Sequence, residues 1–263
     1  MPETVARPGF SASIWPRLSV PIVNRPYDYA PGHRLLEITC IGGLFAQLIY
    51  IGVRLGHGIS TPAQAWSVGG ALVAGYFVAD FISGFFHWAG DALGNETTPL
   101  LGPHFIRPFR FHHLDQKDIT RHDFIETNGN NCIVSVVGLA HVVVWMPSQP
   151  SFFFYYAALM LSTALCTFGT NQFHKWAHSD EVGPIVVRLQ KMGVILSPDH
   201  HRIHHAAPHD TYYCITHGML NPLLAKIRFF RLMEQLVALV APTFLHLEER
   251  KKFAEGQAGV ERS

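Results

Sequence analysis

Four apolar stretches, at residues 35–55, 65–88, 131–146 and 152–170, constrain this chain more than anything else in its sequence. A lipid core of ~30 Å offers the backbone no hydrogen-bond partners, so a run of roughly 20 apolar residues is read as a helix that crosses it. The third stretch is short and contains His141, whereas the fourth carries no charge at all. Charged residues make up 15% of the chain, against roughly 25% in an average soluble domain. The expected fold class is all-α, a polytopic membrane bundle of about four transmembrane helices. One membrane-embedded domain is expected over 35–244, between an N-terminal segment at 1–34 and a charged C-terminal tail at 245–263.

The joins at 56–62 and 147–151 are too short for anything but tight turns, so all the long polar segments share one face of the membrane. Arg7, Arg17, Arg25 and Arg34 precede the first stretch, Arg107, Arg110, Lys117 and Arg121 follow the second, and Lys175, Arg188, Lys191 and Arg202 follow the fourth. The positive-inside rule then places both termini and the central loop in the cytoplasm, in a bacterial inner membrane or the endoplasmic reticulum. Residues 185–196 and 232–240 are apolar but too short to span, and are expected along the interface or as a helical cover over a site. A net charge of +1 gives no electrostatic reason for nucleic-acid binding.

The anomaly is histidine. There are seventeen, and all but His33, His57 and His141 fall at or after the end of the second stretch, on the expected cytoplasmic side. Four groupings have ligand spacing. His87 and Asp91 lie at i and i+4 and share a helix face, as do His174 and His178; His112 and His113 are adjacent; and in the run 200–205, His201, His204 and His205 fall on one narrow helical arc. A lone i,i+4 pair is more often a surface or packing pair, but four groupings on one membrane face point to a metal centre. Eight or more candidates exceed the four ligands of a structural zinc, so two ions are expected. Imidazole suits iron, copper, nickel and zinc alike; iron is favoured because two irons beside lipid can activate O2 and oxidise unactivated C–H bonds.

The remaining polar residues divide between functional and plain readings. Asp80 is an intramembrane carboxylate and therefore a functional candidate. Asp123, Glu126, Asn128 and Asn131 either orient ligand imidazoles or simply start a helix. Arg107, Arg110 and Arg121 either hold a lipid phosphate or form the basic flank of a span. His141, with no partner at ligand spacing, reads as a packed core histidine. No haem, flavin or iron–sulfur signature is present, so electrons must come from a separate donor.

Four longer strings carry a resemblance: DFISGFFHWAGD from Asp80 to Asp91, HFIRPFRFHH at 104–113 continuing to RHDFIETNGNN at 121–131, NQFHKWAH at 171–178, and PDHHRIHHAAPHDTYYCITHGMLNP at 198–222. Over about 77–222 the chain resembles the plasmanylethanolamine desaturase family, which installs the vinyl-ether bond of plasmalogens; the wider group includes plant desaturases acting on an acyl chain of phosphatidylglycerol. The resemblance implies O2-dependent desaturation of an sn-1 alkyl ether chain by two irons, with an ether phospholipid as substrate and electrons from a cytochrome b5-like or ferredoxin-like donor. It implies His87, Asp91, His112, His113, His174, His178, His201, His204 and His205 as ligands, with His122 added, and His104 and His200 as supporting side chains. Phe111 departs from the family, which carries a glutamate there. The alternatives are an acyl-lipid desaturase or hydroxylase using the same centre, and a membrane metal transporter.

Overall fold

The structure is a computed structural model that describes residues 31–99 and 101–246, without the side chains of Pro103 and His104. Arg7, Arg17, Arg25, His104 and residues 247–263 of the expected tail lie outside what it describes.

Among the described residues, four helices are long and apolar enough to cross a membrane: α1 (Pro31–Gly58), α2 (Pro62–Ala92), α4 (Phe124–Trp145) and α5 (Phe152–His178). Their starts are set by capping rather than by hydropathy. Before α2, the Thr61 hydroxyl accepts the Gln64 N–H while Gln64 Oε1 accepts the Thr61 N–H at 3.1 Å, with Pro62 next in line. Asp123 Oδ1 accepts the N–H groups of Ile125 at 2.9 Å and Glu126 at 3.0 Å, so α4 begins about two turns before its apolar stretch. Ser151 caps α5 through the Phe154 N–H.

At 1.5 Å per residue, the 31 residues of α2 and the 27 of α5 make helices of about 46 and 40 Å. Both exceed a hydrocarbon core of ~30 Å, long enough to carry their C-terminal turns, with His87, Asp91, His174 and His178, to or past its edge.

Helix α2 packs along α5, α1 along α4, and α4 along α5. The α2–α5 crossing is close because Gly75 has no side chain: a Cβ there would meet the Leu159 carbonyl oxygen at 2.2 Å. Leu44, Ile51, Leu139, Phe154 and Ala158 are buried between helices, while Val73, Val137, Val144 and Phe152 cover the outside, as lipid-facing surfaces do. Polar residues tie α4 to α5: Asn131 Nδ2 donates to the Thr167 carbonyl at 2.9 Å, Asn128 Nδ2 to Gln172 Oε1 at 3.2 Å, and Asn171 Nδ2 to the Thr127 carbonyl at 3.0 Å.

At the end where α2 and α5 finish, short elements form a helical cover: a π-helical turn (Gly102–Ile106) leading into α3 (Arg107–Leu114), then α6 (Pro184–Lys191), α7 (Pro198–His205), α8 (Asn221–Lys226) and α9 (Phe229–Val240). Helix α9 buries Phe230 against Trp88 and Tyr213 and exposes Leu232, Leu236, Leu239 and Val240. The chain then turns back onto the end of α2, where the Gly94 N–H donates to the Phe244 carbonyl at 2.7 Å and the His246 N–H to the Ala92 carbonyl at 2.9 Å. The described start of the expected tail is therefore tied to the bundle. Among the described residues there is no β-strand, only an isolated bridge between Leu93 and Leu245.

Candidate metal centre

Two short helices and the ends of two long ones deliver the histidines to one place. Helix α7 starts where Ser197 Oγ accepts the His200 N–H at 3.3 Å, with Pro198 at its first position. One further turn sets His201, His204 and His205 towards the bundle axis, with the first two fully buried. The last turn of α5 supplies His174 and His178, α3 supplies His112 and His113, and the last turns of α2 supply His87 and Asp91.

They converge as two groups, in each of which the ligand atoms lie within 4.8 Å of one another: His112, His174, His178, His201 and His205 in one, His87, Asp91, His113 and His204 in the other. In the first group every contact runs between Nε2 atoms. His112 to His178 is 2.9 Å, His178 to His174 3.2 Å, His174 to His201 2.8 Å and His201 to His205 2.9 Å. A neutral imidazole has one N–H and one lone pair, so five converging Nε2 atoms cannot all be satisfied by one another. A cation among them lets all five offer lone pairs at once.

The second group is arranged around Asp91 Oδ2, with Nε2 of His113 at 3.0 Å, of His204 at 3.5 Å and of His87 at 3.6 Å. Here the tautomers are fixed from behind. His87 Nδ1 donates to the Tyr213 carbonyl at 3.1 Å and His204 Nδ1 to the Thr211 carbonyl at 2.8 Å, so each Nε2 must carry a lone pair. Both Nε2 atoms are buried and make no hydrogen bond, a cost that a bound cation removes. The donor set thus fits a metal ion in each group.

Burial, reinforced by neighbouring imidazoles, holds His112, His201 and His204 well below the usual histidine range, and His205 is pushed down in the same way. These rings stay neutral at physiological pH, the form in which a nitrogen can bind metal.

The loop 211–220, whose carbonyls orient His87 and His204, is itself anchored to α2 by Asp80. The Asp80 carboxylate accepts the N–H groups of His217 at 3.0 Å, Gly218 at 2.9 Å and Leu220 at 3.2 Å. Asn221 closes the loop by exchanging two hydrogen bonds with the Cys214 backbone, at 2.8 and 2.9 Å. Gly84 makes room for this loop: a Cβ on α2 there would meet Cys214 Sγ at 2.5 Å.

Other predicted site residues fall elsewhere. His122 joins neither group; its Nε2 lies 3.5 Å from Asp118 and 3.7 Å from Glu126. His200 turns to Asn221 Nδ2 at 3.1 Å. Asp123 caps α4 and pairs with Arg34 at 2.7 Å, while Asn128 and Asn131 bond α5, so these three start a helix and tie it to its neighbour, and Glu126 lies beside His122. Arg110 donates to the Leu93 and Gly94 carbonyls at 3.0 Å, Arg121 pairs with Asp115 and Asp118, and Arg107 is exposed. Phe111, the departure from the family, is 38% exposed and belongs to neither group. His141 is exposed on α4, not packed in a core, and its Nε2 meets the Tyr156 hydroxyl at 2.9 Å.

His209 was missed: its ring nitrogen lies within 4.8 Å of ligand atoms of His113 and His205. It stands four residues after His205, but α7 ends at His205, so helical spacing gives no sign of it.

The sequence matches the lipid desaturase domain family over residues 76–243. The chain belongs to the lipid desaturase family. It is 43% identical over 210 residues to plasmanylethanolamine desaturase of Myxococcus xanthus, covering 80% of this chain and 73% of that protein. It is 42% identical over 219 residues to plasmanylethanolamine desaturase 1 of Mus musculus, covering 80% and 79%. Fatty acid desaturase 4, chloroplastic, of Arabidopsis thaliana is 34% identical over 165 residues, covering 62% and 49%. No solved structure matches the chain. The protein is thus a membrane desaturase, and its two histidine groups could each hold a metal ion.

Proposed function

We propose that this desaturase converts the sn-1 alkyl ether chain of plasmanylethanolamine into the vinyl ether of a plasmalogen, with iron in both histidine groups. The observation that carries this is the convergence of nine ligand side chains in two adjoining groups, in a chain more than 40% identical to two proteins named for that reaction. Two irons held there would supply the oxidation: C1 and C2 of the ether chain each lose one hydrogen, and O2 takes those two hydrogens, two electrons from a separate donor and two protons from solvent, and leaves as two waters.

The chain's own residues set the conditions. Tyr213 and Thr211 carbonyls hold His87 and His204 in the tautomer that presents Nε2. Burial of Trp88, His87, His201 and His204 keeps bulk water from the centre. Four of the nine ligands, His87, Asp91, His174 and His178, stand on the last turns of membrane-length helices, which in this reading brings the centre near the ether-proximal carbons just below a phospholipid headgroup. In this reading the centre and both termini face the cytoplasm, where a cytochrome b5-like or ferredoxin-like donor reaches them.

The test is lipid analysis of a host that makes plasmanylethanolamine, expressing the chain or its His174→Ala variant. Acid-labile vinyl ethers are expected with the first and not the second. Their absence from both refutes the substrate assignment, and a new double bond in an ester-linked chain would establish acyl desaturation in its place.

A further inference from the structure

In the Asp91 group, two of the three imidazoles have a fixed acceptor behind them: the Tyr213 carbonyl for His87 and the Thr211 carbonyl for His204. His113 does not. When its Nε2, now 3.0 Å from Asp91 Oδ2, serves a metal, the ring proton must sit on Nδ1, and that atom is buried and makes no hydrogen bond. A ligand histidine normally donates this proton to a carboxylate, carbonyl or water, which fixes its orientation and raises its basicity.

We propose that His209 is a positioning residue of the metal centre, its Nε2 accepting the Nδ1 proton of His113. His209 Nδ1 lies 3.1 Å from the His204 carbonyl oxygen. A carbonyl only accepts, so Nδ1 carries the proton and Nε2 carries a lone pair. The His209 ring is 3% exposed, its centroid is 4.5 Å from that of His113, and one ring nitrogen of each lies within 4.8 Å of the other. His205 is farther, at 6.3 Å between centroids. The relay closes when the group holds its ion: His113 then donates to His209, and His209, as it already does, donates to the backbone of His204, so two ligands of one group are coupled through a residue that ligates neither ion. His209 is held at φ +59°, a left-handed conformation costly for most residues.

The inference rests on the two-ion reading and not on the lipid substrate. Its test is a Co2+ titration of the purified chain in detergent, following the visible bands for each of two equivalents, with His209→Gln and His209→Asn beside wild type. Gln places an acceptor oxygen at the Nε2 position, whereas Asn places its amide nitrogen at Nδ1 and keeps only the bond to the His204 carbonyl. The expectation is that Asn weakens one of the two equivalents about 10–100-fold, shifts its bands and leaves the other unchanged, while Gln stays within a few-fold of wild type. Rescue by Asn and not Gln would mean that His209 merely holds the loop, and the proposal fails. It fails equally if neither variant alters binding, or if wild type takes a third equivalent that both variants lose, which would make His209 a ligand. A wild-type chain that takes fewer than two ions sinks the two-ion reading and this inference with it.

Discussion

The Asp80 carboxylate accepts the backbone N–H of Gly218 at 2.9 Å, and through this contact a membrane helix holds the loop that orients two histidines of the centre. Two more N–H groups, of His217 and Leu220, share the carboxylate. Hydrogen bonds to a charged group contribute roughly 1.5–3 kcal/mol each, and leaving the donors buried and unmet costs more. Asp80→Ala is therefore expected to lower the thermal midpoint in detergent and to weaken metal binding in the Asp91 group by about 10–100-fold, as loss of ligand orientation does. Asp80→Asn keeps one acceptor oxygen and should fall between. An alanine variant with wild-type melting and full metal content would show that the clamp has no bearing on the centre.

His201 is the junction of the five-histidine group, with Nε2 contacts to both His174 and His205. His201→Ala leaves the Asp91 group intact but opens the other. Elemental analysis of purified protein is expected to fall from two irons per chain to one, with desaturation reduced at least 100-fold. Two irons and near-normal turnover in this variant would contradict the assignment of His201 as a ligand.

The metal-free chain should lose stability in acid. Burial, and then neighbouring imidazoles, keep the folded-state pKa of His112, His201 and His204 well below the ~6.5 of an unfolded chain. Below ~6.5 the unfolded state binds protons that the folded state refuses, so stability present in full above that pH declines as pH falls, by up to about 1.4 kcal/mol per pH unit for each ring. Melting curves of chelator-treated protein from pH 8 to 5.5 should show a falling midpoint. A flat or rising profile would mean that these rings are not buried as neutral groups.

Much of this was legible in sequence because it depends on local spacing. Hydropathy located all four spans, and i,i+4 arithmetic located His87 with Asp91, His174 with His178, and His201 with His205, since helical geometry fixes which side chains share a face. What escaped depends on contacts remote in sequence. Asp80 reads as an intramembrane carboxylate, but its partners are N–H groups nearly 140 positions later. His209 lies in an irregular loop where no period predicts direction. Asn131 offers the same hydrogen-bonding groups whether it faces an imidazole or the Thr167 carbonyl, and only the α4–α5 crossing decides. His122 has ligand chemistry and a neighbouring motif, yet the turn at Asp118–Arg121 sets it beside Asp118 and Glu126.

The α2–α5 crossing tests whether the scaffold and the centre can be separated. Gly75 meets the Leu159 backbone so closely that any Cβ, at 2.2 Å from the carbonyl oxygen and 2.9 Å from Ser162 Cβ, forces the helices apart. The same crossing is held by Thr163 Oγ1, which donates to the Leu159 carbonyl at 2.9 Å and reaches the Gly75 carbonyl at 3.2 Å. Overpacking of this kind costs typically 1–3 kcal/mol, about the same for Gly75→Ala as for a modest core insertion, and more for Gly75→Val. Since α2 carries His87 and Asp91 and α5 carries His174 and His178, spreading them also lengthens the distance between ligand groups. Gly75→Val is expected to lower the melting midpoint and to reduce turnover more than it reduces metal content, because each group can still close on its own ion while their mutual spacing drifts. If stability falls and turnover per bound metal stays at the wild-type value, the spacing between the groups is set by the helical cover and not by this crossing.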